Sequence, residues 1–355
     1  GQIYDSGEFE QVLDKALVSS DWKGFVNRQK ESEKNGFVRG IGICAYLEVS
    51  APSGKEMGGL RFGTDGRVTI VSGTLDYGQG HRAAFAQILS ARLGIPFDII
   101  DLLQGDSDEL IIGGGTGGSR SVIAESGAIY ETADKVIEKG RVIAGHIFEA
   151  SVEDVEYRDG EFLISGTDRS IGIIELAKRT LENAGDHNLP ESLDTELIHT
   201  TAPSSFPNGV HVCEVEIDPD TGVVRTDRYT VVDDFGTIVN PLLAEGQVHG
   251  GVVQGIGQAL MENIVYDEDG QLLTGSYMDY QLPRAVEIPN IIFDDYPVPA
   301  TTNVIGAKGA GEAGCSGALS AVMNAVVDAL FKFGITNIDM PATPQNIWNL
   351  IQKSS

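Results

Sequence analysis

From His211 to Asp234 the chain reads HVCEVEID, a short turn, then VVRTDRYTVVDD. Apolar and polar residues alternate on both sides of Asp218–Gly222, and that period of two around turn residues predicts a β-hairpin. Phe37 onward has the same character (RGIGICAYLEVS, GGLRFG, RVTIVSG), with a turn at Thr64-Asp65-Gly66. Further hairpins are predicted at Val155–Ser165, turned at Asp159-Gly160, and at Asp267–Gly270. FDIIDLL predicts a short strand. Helical spacing predicts helices over Phe9–Ser19 with Ser6 as cap, from just after Gly78-Gln79-Gly80-His81 through Arg92, over Val122–Lys139, Arg141–Ser151, Ile171–Glu182, Leu243–Asn263, Ala318–Phe331 and Pro344–Gln352. Residues 22–36 read as a helix or connector. Strands and helices mix without a clean βαβ repeat, so the expected fold class is α+β (mixed α/β). The irregular, proline-containing stretch 183–208 divides two expected lobes, residues 1–205 and 206–355.

At 355 residues and 41% apolar composition, disorder is not expected and large cores are within reach. Asp plus Glu number 52 against 25 Lys plus Arg, a net charge of −27. That field repels phosphate, so nucleic acid and anionic membrane surfaces are not expected partners. A phosphate-bearing ligand has to be held by local amides and a few cations. Cys44, Cys213 and Cys315 are far apart and form no C-x-x-C pair, which argues against a cluster or structural zinc on this chain. No secretory pattern is visible at the N-terminus, no apolar run approaches ~18 residues, and a reduced, cytoplasmic setting is expected.

Four glycine-rich segments carry the chemistry. Gly113–Ser121 (GGGTGGSRS) precedes a helix; its glycines expose backbone amides, Thr116, Ser119 and Ser121 add hydroxyls, and Arg120 adds a cation. This is equipment for a phosphate at a helix N-terminus. Gly113, Gly115 and Gly118 also satisfy G-x-G-x-x-G, but the polar run Gly105–Glu109 stands where a dinucleotide-binding fold wants a buried strand. Gly78-Gln79-Gly80-His81 is a second such turn. Gln247 to Leu260 is a helix bearing Gly250, Gly251, Gly255 and Gly257, where another backbone or a flat ligand can come close, with Gln247, Gln254 and Gln258 near one face. Lys308-Gly309-Ala310-Gly311-Glu312 sets one carboxylate at the end of a side-chain-poor turn, where partial desolvation favours a general base; an ordinary helix start is the plainer reading.

Together, DYGQGH at 76–81, AQILSARLGIP at 86–96, GGGTGGSRS at 113–121, GQVHGGVVQGIGQAL at 246–260, KGAGE at 308–312 and VDDFGTIVNP at 232–241 resemble the molybdenum-binding subunit of the xanthine dehydrogenase/aldehyde oxidase family, including carbon monoxide dehydrogenase large chains. The resemblance implies two α+β lobes holding molybdopterin with molybdenum, in the cytosine dinucleotide form usual in bacteria. It implies cofactor contacts from Gln79, Gly80, His81, Thr116, Gly118, Ser119, Arg120, Ser121, Gln254, Lys308, Gly309, Ala310 and Gly311, and Glu312 as general base beside the metal. It implies oxidation of an aldehyde or N-heteroaromatic carbon by water-derived oxygen, with electrons passing to iron–sulfur clusters and FAD on partner subunits. Only the later half of the family's subunit is matched; the earlier half, with its G-G-F-G segment, substrate loop and the copper-binding cysteine of true carbon monoxide dehydrogenases, is not found here. An N-terminal half is therefore an expected partner, and substrate identity is not written in these residues. Ala313 follows the carboxylate where many relatives have Pro or Ser. A cofactor-holding module that has lost turnover is the alternative.

Overall fold

The computed structural model describes residues 3–182 and 189–354. In chain order the elements are α1 (Phe9–Ser19), α2 (Phe25–Lys34), β1 (Val38–Leu47), β2 (Lys55–Phe62), β3 (Val68–Ser72), α3 (His81–Leu93), β4 (Ile100–Leu103), α4 (Ser121–Phe148), β5 (Val155–Arg158), β6 (Glu161–Ile164), β7 (Ser170–Gly172), α5 (Ile173–Glu182), β8 (Thr195–Thr200), β9 (Asn208–Ile217), β10 (Val224–Asp234), α6 (Pro241–Leu260), β11 (Ile291–Asp295), α7 (Ala313–Leu330) and α8 (Pro344–Ser354). The mixed α and β class is as expected. The chain forms two compact units: residues 1–49, 206–299 and 310–355 in one, and residues 50–205 and 300–309 in the other.

The first unit is built on a four-stranded sheet in the order β1-β9-β10-β11. The hairpin foreseen at 211–234 is its centre, running from Val224 opposite Ile217 to Asp234 opposite Asn208. Alternation then assigns the faces. Cys213, Val215 and Ile217 join the core under α6 and α7, whereas Val210 and Val212 pack with Val12 and Ala16 of α1. β1 pairs with β9 along ten residues, Val38 opposite Ile217 to Leu47 opposite Asn208. That pairing ties residues 1–49 to the later part of the chain, so residues 1–205 are not one lobe; contiguity in sequence gave way to strand pairing.

Helix α7 lies directly on β1. A Cβ at Gly40 or Gly42 would overlap the Ala325 or Ala321 carbonyl oxygen, and Ala318, Ala321, Ala325 and Ala329 are buried there. By length and composition Ala313–Phe333 is apolar enough to cross a membrane, which corrects the expectation that no such stretch exists. Its buried alanines serve the sheet.

The second unit has a sheet in the order β4-β3-β2-β8 and a small β5-β6-β7 sheet. Helix α4 crosses β2 closely enough that a Cβ on Gly58 would come to 2.8 Å from the Ala128 carbonyl oxygen. Two helices expected over Val122–Lys139 and Arg141–Ser151 are one continuous helix, because Gly140 is a packing position: a Cβ there would strike the Phe162 ring. Strand β8 falls inside the stretch read as irregular, of which residues 183–188 lie outside the described residues. Ser6 does not cap α1, whose N-cap is Glu8; its hydroxyl donates to Val298 O at 3.4 Å. The hairpin expected at 267–270 is reduced to a single bridge between Tyr266 and Leu272.

Candidate functional site

The second unit brings Gln79, Gly80, His81, Thr116, Gly118, Ser119, Arg120, Ser121, Lys308 and Gly309 into one body. The turn before α3 is organised by a residue the sequence reading passed over. Asp76 Oδ1 accepts from Gly78 N at 2.7 Å and Gly80 N at 3.3 Å, and Oδ2 accepts from His81 N at 2.9 Å. Burial would raise this carboxyl, but the amides of Gly78 and His81 outweigh it and hold it below the usual range. An Asp followed by glycines two and four residues later is the available signal. The Gln79 side-chain oxygen accepts from Tyr77 N. His81 turns inward: it is 3% exposed, stacks on Phe85, and burial lowers its pKa.

The loop 113–121 is pinned from beneath. Gly114 N and Gly115 N donate to Gly73 O at 3.1 and 3.0 Å. The Thr116 hydroxyl donates to Leu75 O at 2.8 Å and lies 2.8 Å from Ser121 Oγ. Gly118 O accepts from Ala51 N at 2.9 Å. Ser119 has φ 52, a left-handed conformation that costs a non-glycine residue about 1 kcal/mol or more and recurs at ligand clamps. Ser121 opens α4, a 28-residue helix with no side-chain cap at its N-terminus. Its leading amides therefore carry the positive end of the dipole toward this loop.

Arg120 reaches inward. Its Nη2 donates to Lys55 O at 3.0 Å and Glu56 Oε2 at 3.2 Å. Glu56 is 1% exposed; burial raises its pKa, partly countered by the amides of Met57 and Gly73 and the charge of Arg120. The cation thus braces the loop from inside.

The turn 308–309 docks on this loop. Gly309 N donates to Ser50 Oγ at 3.1 Å, and a Cβ on Gly309 would lie 2.6 Å from Ser119 Cβ and 2.7 Å from Ser50 Cβ. Only glycine permits that approach. Lys308 is buried.

Gln254, Ala310, Gly311 and Glu312 belong to the first unit. Gly251 of α6 faces Gly314 and Cys315 of α7, with a Cβ there 2.9 Å from both backbones, and Gly255 faces Ala318. The α6 glycines therefore admit another helix, and this register sets the turn bearing Gln254 beside the first turn of α7. Gln254 and Glu312 are both exposed. Glu312 is the N-cap of α7, so the desolvation expected for it is not supplied by the turn alone.

The molybdopterin cofactor-binding domain family matches residues 15–289. The nicotine 6-hydroxylase large subunit of Paenarthrobacter nicotinovorans is 35% identical over 364 residues, covering 98% of this chain and 44% of the relative. The carbon monoxide dehydrogenase large chain of Hydrogenophaga pseudoflava is 32% identical over 372 residues, covering 99% of this chain and 46% of the relative. Reconstituted CO dehydrogenase from Oligotropha carboxidovorans superposes with a TM-score of 0.88 at 33% identity, covering 100% of this chain and 46% of the other. The chain spans less than half the length of these relatives, and what it matches is their C-terminal half. With these loops, this fold and these relatives, the chain belongs to the molybdopterin cofactor-binding domain family of the xanthine dehydrogenase, aldehyde oxidase and carbon monoxide dehydrogenase large-chain proteins.

Proposed function

We propose that this chain is the C-terminal half of a molybdenum hydroxylase subunit that oxidises an aldehyde or N-heteroaromatic carbon with water-derived oxygen. The observation that carries the reading is the N-terminus of α4: no side chain caps it, and the Thr116 and Ser121 hydroxyls flank it within 2.8 Å of each other. A phosphate-bearing pterin fits the uncapped amides with the Ser121 hydroxyl at their head, the Thr116 hydroxyl being committed to Leu75 O, since helix N-termini bind anions even on a strongly acidic protein.

Gln79, Gly80, Thr116, Gly118, Ser119, Ser121, Lys308 and Gly309 would hold the cofactor's phosphate and pterin portions, and Gln254, Ala310 and Gly311 keep the cofactor-contact role that the family resemblance assigns them. Arg120 and His81 would act from behind, Arg120 through Glu56 and His81 through its inward ring. When bound, molybdopterin, in the cytosine dinucleotide form, supplies the metal that accepts the substrate's electrons. Glu312 serves as general base, its carboxylate oxygens taking the proton released as oxygen is delivered to the small-molecule substrate. Three dispersed cysteines cannot supply four thiolates to a cluster, so a 2Fe-2S subunit and an FAD subunit, with the N-terminal half of the molybdenum subunit, complete a cytoplasmic assembly.

Elemental mass spectrometry of the assembly purified through this chain tests the reading; stoichiometric molybdenum is expected. Glu312→Gln should keep that molybdenum and lose turnover by about 10²–10⁴-fold; full turnover would remove Glu312 from the base role. The exposure of Glu312 favours a second reading, a non-catalytic cofactor-holding or assembly module. Absence of molybdenum with all subunits intact would select it.

A further inference from the structure

Beneath the two loops of the second unit lie two buried carboxyl groups, Glu56 on β2 and Glu125 on α4, 1% and 0% exposed. They are treated differently. Glu56 has a cation, Arg120, and accepts from Met57 N at 3.0 Å. Glu125 Oε2 lies 2.7 Å from Ser72 Oγ, while its Oε1 has no hydrogen-bond partner. Among the described residues no cation pairs with it. A charged carboxylate in that position would bear the full desolvation cost beside a second carboxylate. Burial accordingly pushes the Glu125 carboxyl well above its ordinary value, eased slightly by Ser72 and raised further by Glu56.

Ser72 continues the contact. Its Oγ is 2.8 Å from Thr74 Oγ1, Gln104 Nε2 donates to Thr74 Oγ1 at 2.5 Å, and the same amide nitrogen is 3.3 Å from His81 Nδ1. His81 is the first residue of α3, directly after the Gly78–Gly80 turn. Glu125 sits one turn into α4, directly after the Gly113–Arg120 loop. The path therefore joins the bases of the two loops.

We propose that Glu125 is a positioning residue that carries a proton: its neutral carboxyl donates to Ser72 and, through Thr74, Gln104 and His81, holds the 76–81 turn and the 113–121 loop in register for the cofactor's phosphate. A proton on Oε2 gives Ser72 a donor, freeing the Ser72 hydroxyl to donate to Thr74. The Gln104 amide donates to His81 Nδ1, which makes the ring neutral with its proton on Nε2. Every group on the path is then uncharged. The charged group that bears on Glu125 is Glu56 from β2; Glu56 in turn feels Arg120 from the start of α4 and His199 from β8, whose ring lies against Gly127 and pairs with Glu131 at 2.7 Å. The cofactor part of this assignment rests on the function proposed above; the coupling of the loops does not.

Amide hydrogen exchange on the purified chain with its co-purifying subunits tests it, using wild type, Glu125→Gln, Glu125→Ala and Gln104→Leu, with pterin and molybdenum content measured on the same samples. Glu125→Gln keeps a donor to Ser72 and should match wild type in exchange at 76–81 and 113–121 and in cofactor content. Glu125→Ala should speed exchange in both loops about tenfold or more, leave β9 and β10 unchanged, and lower cofactor content. Gln104→Leu should loosen 76–81 more than 113–121. After correction for intrinsic rates, loop exchange in wild type should rise with pH above the ordinary carboxylate range while Glu125→Gln stays flat. If Glu125→Gln behaves as Glu125→Ala, a charge rather than a proton is needed and the proposal falls. If Glu125→Ala disturbs α4 alone, the residue is merely packing and the proposal falls. A wild type without molybdopterin would sink the functional reading and leave the exchange comparison to decide the coupling.

Discussion

At the scale of single residues, Gly309 shows how narrowly the site is built. Its amide donates to Ser50 and its α-carbon meets Ser119, so Gly309→Ala must push one of two backbone segments aside. We expect a loss of about 1–3 kcal/mol in urea unfolding of the chain, with lower molybdenum retention in the assembly. Glu125 makes a second measurable claim. Its folded pKa is raised above its value in the unfolded chain, so its contribution to stability is full below the ordinary glutamate range and is lost as pH rises toward the raised value. Urea midpoints across a pH series should fall more steeply for wild type than for Glu125→Gln, by at most about 1.4 kcal/mol per pH unit; parallel curves would show that Glu125 is already ionised. The sequence singles out Gln79, the 113–121 hydroxyls and Glu312 as candidates because turn glycines advertise themselves. It hid Asp76, Glu56 and Glu125, whose roles depend on which neighbours bury them. A cation beside glycines reads as a ligand group in Arg120, while the buried Glu56 behind it is visible only in the fold.

At the scale of elements, α6 and α7 pack through glycine. A Cβ on Gly314 would overlap Val248 O and lie 2.8 Å from Val252 N, whereas a Cβ on Gly250 meets nothing within 4 Å. Two glycine-to-alanine changes on these adjoining helices should therefore have opposite signs. Gly314→Ala should destabilise by about 1–3 kcal/mol through forced separation, and Gly250→Ala should stabilise by about 0.5–1 kcal/mol through helix propensity. Thermal unfolding of the two variants decides this; equal shifts would mean the helices are not in this register. The same pair explains what could be read in advance. The 211–234 hairpin was plain because alternation and turn chemistry are local. The merging of two expected helices into α4 was not, because Gly140 serves Phe162, a partner more than twenty residues away. Strand β8 was missed for the same reason: its strand character comes from pairing with β2, Thr195 opposite Leu60 to Thr200 opposite Lys55.

At the scale of the whole molecule, two properties oppose each other. A net charge of −27 keeps copies apart. The segment 264–286 nonetheless leaves Tyr277, Met278 and Val286 at 85%, 92% and 90% exposure, with Ile264 and Tyr266 also exposed. Side chains of that size in water favour association. Under the function proposed above, in which the N-terminal half of the subunit is a partner, that half covers this stretch. The chain alone should therefore self-associate, and the dependence on salt identifies the force. Screening over a Debye length of about 10 Å at 0.1 M removes repulsion between acidic copies, so apolar association grows with added salt, whereas association through ion pairs would weaken. Sedimentation of wild type and of a Tyr277→Ser, Met278→Ser, Val286→Ser variant at low and high salt separates the two. We expect wild type to form larger species as salt rises and the variant to remain smaller. The variant should also recover less of the N-terminal partner when the two are co-produced. A wild type that stays monomeric at every salt concentration would show that this segment needs no cover.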